Sequence, residues 1–165
     1  MTDIPPTDDP AELIRHIETR YHARHREQLP ELVELAARVE AVHAGAADVP
    51  AGLADLLQRM MGELEVHMKK EELILFPALG RGGGPGVEHP IAVMRADHDD
   101  HASDLAAIRR LTSGLRLPPG ACGTWTLLYD KLGTFVSDLE AHIQLENEVL
   151  FPRFETNPSD RGSAS

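Results

Sequence analysis

The 165-residue sequence predicts an all-α protein, an up-down-up-down four-helix bundle with a kinked first helix. Three observations carry the prediction. Apolar residues recur at helical spacing through four long segments, and no stretch alternates with the period of two that a half-buried strand needs. The segments are joined by short loops rich in glycine and proline, which makes successive helices antiparallel neighbours.

The first helix opens near Pro10, where Asp8-Asp9 supply a cap and proline suits the first turn. It carries Leu13, Ile14, Ile17 and Tyr21 to Leu29-Pro30, where a proline inside the helix predicts a kink. Leu32, Leu35, Ala36, Val39 and Val42 then continue it to about Gly45. The second helix runs from near Pro50 through Leu53, Leu56, Leu57, Met60, Leu64 and Met68 to about Leu79. After the turn-forming GRGGGPG, the third carries Ile91, Met94, His98, Leu105, Ile108 and Leu111 and stops near Gly114. Pro118-Pro119-Gly120 breaks the chain before the fourth, which runs to about Phe154 with Leu128, Leu132, Phe135, Val136, Leu139 and Ile143. One domain over residues 10–154 is expected, with disordered ends at 1–9 and 155–165.

A formal charge of −11 argues against nucleic acid and anionic membrane surfaces as partners. Cys122 is the sole cysteine, which excludes a disulfide framework and a cysteine-based zinc or iron–sulfur site. No apolar run approaches the roughly 18 residues of a membrane span, and the opening MTDIPPTDDP is not a signal peptide, so a cytoplasmic protein is expected.

One pattern occurs twice. His67-x-x-x-Glu71-x-x-x-Leu75-Phe76-Pro77 and His142-x-x-x-Glu146-x-x-x-Leu150-Phe151-Pro152 share every offset, 75 residues apart. His22-x-x-His25 lies 45 residues before His67, and His98-x-x-His101 lies 44 before His142. Residues four apart on a helix share a face, so each copy presents an imidazole beside a carboxylate, as metal sites in helical bundles do. Distances from the connecting loops, at about 1.5 Å per residue, bring His22, His67, Glu71, His98, His142 and Glu146 to a common level. His43 fails that test: a continuous helix would place it roughly 31 Å from His22, at the other end of the bundle. His16 and His89 lie off the repeat and are expected on the surface.

Burying several histidines and two glutamates without partners would be costly, and a pair of cations removes the cost. The metal set is therefore His22, His67, Glu71, His98, His142 and Glu146, with His25 and His101 as alternative or outer partners of the first members of their pairs. Glu63, one turn before His67, and Asp97, beside His98, are candidates to accept an imidazole N–H or guide an ion inward. Two carboxylates able to bridge, with two imidazoles per ion, suit iron or manganese, with zinc possible. Six side chains leave coordination positions open for an oxo or hydroxo bridge and for small molecules. Phe76-Pro77 and Phe151-Pro152 are expected to plug and terminate their helices, and Trp125 to pack.

The H … HxxxE … H … HxxxE pattern resembles the hemerythrin (HHE cation-binding) superfamily. The strings RYHARHREQLPEL, HMKKEELILFP, ACGTW and HIQLENEVLFPRF are similar to those of the di-iron proteins for repair of iron centres (RIC proteins). The resemblance spans about residues 10–154. It implies a four-helix bundle holding two non-haem irons, with Glu71 and Glu146 as bridges, that protects or restores iron–sulfur clusters damaged by nitric oxide or peroxide. Iron–sulfur proteins would then receive iron, and nitric oxide, dioxygen or peroxide would be the small-molecule partners. Such proteins often carry an N-terminal domain with paired cysteines; this sequence shows no such motif, so if those cysteines assist iron transfer, the protein is expected to work without them or with a partner. Two other functions fit the same residues: a carrier or sensor of dioxygen or nitric oxide, and a di-iron nitric oxide or peroxide reductase.

Overall fold

The computed structural model describes residues 8–155. Four long helices account for nearly all of it. Helix α1 comprises Pro10–His16, a π-helical stretch Ile17–His22, and Ala23–Val42. Helix α2 comprises Leu53–Lys70, a π-helical stretch Glu71–Leu75, and Phe76–Gly80. Helix α3 is Glu88–Leu111, uninterrupted. Helix α4 comprises Gly123–Leu145, a π-helical stretch Glu146–Leu150, and a final 3₁₀ turn Phe151–Arg153. Among the described residues there are no strands, and no helix is long and apolar enough to cross a membrane.

The helix starts follow local chemistry. Asp9 accepts from the Ala11 N–H at 3.2 Å, with Pro10 next to it. Gly52, at φ +94°, precedes α2 in a conformation that favours glycine. The Glu40 carboxylate, from the end of α1, accepts from the Gly52 and Ala54 N–H groups at 2.7 and 2.9 Å, so α1 caps α2 and fixes the first turn of the bundle. The 81–87 loop folds tightly at Gly83, φ +89°, where an added Cβ would stand 3.0 Å from the Phe154 ring.

Pro30 lies within the continuous segment Ala23–Val42. The break from α geometry in α1 falls earlier, at Ile17–His22. Residues 1–7 and 156–165, most of the ends expected to be disordered, lie outside the described residues. Asp9 at one boundary caps α1, and Glu155 at the other accepts from Arg95 Nε at 2.7 Å.

The apolar interior divides into two clusters. One gathers Leu32, Leu57, Leu64, Ile108, Leu132, Phe135 and their neighbours toward the α1–α2 and α3–α4 turns. The other gathers Leu13, Ile17, Tyr21, Phe76, Ile91 and Phe151 toward the α2–α3 turn. Between them lies a layer of buried polar side chains: His22, His25, His67, Glu71, His98, His101, His142 and Glu146, each no more than 4% exposed.

Candidate metal centre

Each helix contributes to the polar layer. His22 and His25 come from α1, His67 and Glu71 from α2, His98 and His101 from α3, and His142 and Glu146 from α4. The three π-helical stretches border this set: one ends at His22, and the others begin at Glu71 and Glu146. A π stretch inserts a residue into the helical register, and such bulges concentrate at functional sites. After each glutamate it pairs the N–H of Phe76 or Phe151 with the carbonyl five residues back, Glu71 O or Glu146 O.

Two groups of four buried side chains result. His22, Glu71, His142 and Glu146 each offer a donor atom within 4.8 Å of the others, and so do His67, Glu71, His98 and Glu146. Both glutamates belong to both groups. Nε2 of His22 lies 3.1 Å from Glu71 Oε1, and His142 Nε2 lies 2.7 Å from Glu146 Oε2. On the other side, His67 Nε2 stands 3.4 Å from Glu71 Oε1, and His98 Nε2 stands 2.9 Å from Glu146 Oε1.

The remaining ring nitrogens are tied outward. Nδ1 of His22 donates to Glu72 Oε2 at 2.8 Å, that of His67 to Asp97 Oδ2 at 3.0 Å, and that of His98 to Asn147 Oδ1 at 2.7 Å. His142 Nδ1 faces His25 Nε2 at 3.0 Å; His25 continues to Gln28 and, through Gln28 Nε2 at 2.9 Å, to Asp138, which Arg20 also holds. With Nδ1–H committed outward, each imidazole turns its Nε2 lone pair into the layer, the tautomer a metal ligand needs. Arg26 clamps Glu72 through two bonds of 2.8 and 2.9 Å and also holds Glu65, so the acceptor behind His22 is itself fixed.

The inward atoms are short of partners. His67 Nε2, His98 Nε2, Glu71 Oε2 and Glu146 Oε1 are buried and accept or donate no hydrogen bond. His98 Nε2 and Glu146 Oε1 are close without hydrogen-bond alignment, as two donors turned to a common third point would be. Leaving such groups unsatisfied costs about 1–3 kcal/mol each. Two cations would satisfy all four, so the donor set fits a dinuclear metal pair.

The electrostatics agree. Burial, then the facing Glu146, pushes Glu71 well above the usual carboxylate range. Burial acts the same way on Glu146, but His142, His22 and His98 reverse it and hold Glu146 well below that range. Burial lowers His142 to about 4 and His101 to about 3, and takes His25 and His67 down too. For His98 burial also pulls downward, but the Glu146 carboxylate more than offsets it. A buried pair of carboxylates that cannot both ionise easily, ringed by neutral imidazoles, is stabilised by added positive charge.

The structure sorts the other candidates. His25 bonds His142, and Asp97 bonds His67. His101 packs edge-on against His67, ring centroids 5.0 Å apart, and its Nε2 has no partner. Glu63 turns away, to Arg59 at 3.0 and 3.2 Å, because a guanidinium one turn back competes better than a distant imidazole. His43 sits at the far end, 3.1 Å from Cys122 Sγ and tilted against Trp125, ring centroids 4.7 Å apart. His89 is exposed, and His16 is half-buried against Tyr21. Glu72 and Asn147 went unread in the sequence although a signal existed: each directly follows a repeated glutamate, at the same offset in both copies.

Comparison with known proteins matches this geometry. The sequence matches the hemerythrin HHE cation binding domain over residues 13–154. It is 50% identical over 143 residues to the iron-sulfur cluster repair protein YtfE of Pectobacterium atrosepticum, and 49% to that of Escherichia coli O157:H7, covering 87% of this chain in each case. The chain spans 65% of the length of these curated relatives. With a four-helix bundle, a duplicated HxxxE pair and a match across most of its length, the chain belongs to the hemerythrin HHE cation-binding family.

Proposed function

We propose that this protein holds two iron ions in the polar layer and acts in the repair of iron–sulfur clusters damaged by nitric oxide or peroxide. The ligands are His22, Glu71, His142 and Glu146 for one ion and His67, Glu71, His98 and Glu146 for the other, with both glutamates shared. The observation that carries the reading is the set of buried, unpartnered donor atoms converging between two apolar clusters. The name of the relatives at about 50% identity, iron-sulfur cluster repair protein, supplies the process. Manganese or zinc would fit the same donors in iron-poor conditions.

When bound, the pair supplies exchangeable iron and a change of oxidation state. The chain supplies the rest. Glu72, Asp97, Asn147 and His25 hold the four imidazoles in one tautomer and orientation. Phe76 and Phe151 cover His22 and His98 and keep bulk water from that side. Glu71, easily protonated, can take up a proton when an ion leaves, which lowers the cost of emptying the site. We place its action in the cytoplasm, where reducing conditions keep released iron ferrous.

The test is direct. Chain loaded anaerobically with Fe(II) should retain about two irons after desalting. It should restore a nitric-oxide-damaged cluster enzyme above a control with equal free iron, losing iron in step. A reversible gas-dependent spectrum with iron fully retained would replace repair by carriage or sensing. Steady turnover of nitric oxide or peroxide with a reductant would replace it by reduction.

A further inference from the structure

A cleft of about 700 Å³ opens between α2 and α3, and the wall it shares with the polar layer is one imidazole thick: His67 lines it. Two further side chains in this cleft are left incomplete. His101 is 4% exposed and its Nε2 has no partner; Asp104 is 8% exposed and its Oδ2 has none. They are three residues apart on α3, hence on one face of that helix. Neither is used by the ligand set above. Asp97, Asp100 and Glu63 add negative charge to the same cleft, against Arg59 and Lys70.

We propose that His101 Nε2 and Asp104 Oδ2 form a third, outer cation site, a water-rich stop for a divalent ion beside the paired centre. An imidazole lone pair and a carboxylate oxygen suit a first-row divalent ion that keeps several waters, and the cleft has room for them. Arg59 completes the logic. Its guanidinium donates to Asp104 Oδ1 at 3.0 Å and to Glu63, and its side chain is half-exposed, so it serves as a displaceable countercharge when the stop is empty. The site rests on the di-iron reading for its purpose, a halting point on the way in or out, but not for its chemistry.

The full chain loaded with two irons, titrated with Mn(II) and followed by electron paramagnetic resonance, should bind one further, weaker ion. His101→Leu and Asp104→Asn should each weaken that ion by about tenfold or more while iron content stays at two. Arg59→Gln should tighten it, the opposite sign. No third ion in the native protein, or an affinity indifferent to both His101→Leu and Asp104→Asn, overturns the inference. If His101→Leu fails to fold, Asp104→Asn decides. A native chain that never retains two irons defeats the di-iron reading and the purpose of the stop, whereas the outer site itself is then decided by whether Asp104→Asn removes one weak Mn(II) ion that the native chain binds.

Discussion

Phe151 lies flat against His98, ring centroids 5.8 Å apart and planes within 6° of parallel, and Phe76 lies against His22 in the same way at 5.7 Å and 14°. Each phenylalanine of the repeated Leu-Phe-Pro string thus covers an imidazole from a different helix. The string, which α2 continues past to Gly80 and which closes α4, also seals the polar layer from the α2–α3 end. Sequence repetition has become a near-twofold arrangement in space.

Truncating that cover should cost both stability and metal. Phe151 is fully buried, so Phe151→Ala should destabilise the fold by about 3–5 kcal/mol. Urea denaturation of metal-free protein measures the first effect, and iron retained after desalting the second. An unchanged midpoint would show that the ring is not part of the packed core.

The shared carboxylates should matter more than a nearby exposed one. Glu71→Ala or Glu146→Ala should leave less than half the native metal content, because each removes a donor common to both groups. Glu63→Ala, which loses only an ion pair to Arg59, should retain it. Equal losses in all three, by elemental analysis, would remove Glu71 and Glu146 from the ligand set.

Outer acceptors should tune affinity without abolishing it. Glu72→Ala and Asn147→Ala remove the group that orients His22 or His98, and each should weaken metal binding by about 10–100-fold. Arg26→Ala should act in the same direction on His22 alone and less strongly, through Glu72. Competition against a chelator of known affinity would rank the three, and a larger effect for Arg26→Ala than for Glu72→Ala would refute the order.

Acid should weaken the metal-free fold. His142 is lowered from 6.5 to about 4 and His101 to about 3, so the unfolded chain takes up protons that the folded chain refuses. Their contribution is complete above pH 6.5 and is lost as pH falls toward those folded values. Near pH 5.5 each imidazole costs roughly 1 kcal/mol. The raised Glu71 and His98 oppose this, but His25 and His67 add to it, so the net slope is downward on acidification. Denaturation midpoints at about pH 7.5 and 5.5 would check the sign.

Much of this was legible because helix periodicity and the duplicated spacing are local, chain-order properties. The four helices, their loops, the common height of six candidate ligands and the remoteness of His43 follow from counting residues at helical rise. Counting could not distinguish His22 from His25, or His98 from His101, since residues three apart share a face. Contacts between helices separate them: His22 and His98 face Glu71 and Glu146, while His25 bonds His142. In α1 a π-helical stretch ends at His22, and nothing in the residue types announces a π turn. Asp97 and Glu63 looked alike in sequence; Arg59 draws Glu63 away and leaves Asp97 to His67.

The amino-acid order alone determined that four amphipathic helices would form and that two imidazole–carboxylate pairs would recur on their inner faces, because both depend on spacing along a single helix. Tertiary structure decided the rest. Which nitrogen faces inward, which carboxylate stands behind it, and which donor atoms are left unsatisfied depend on side chains from different helices meeting at a few ångströms, where hydrogen-bond geometry and the exclusion of water select one arrangement among several the sequence allows.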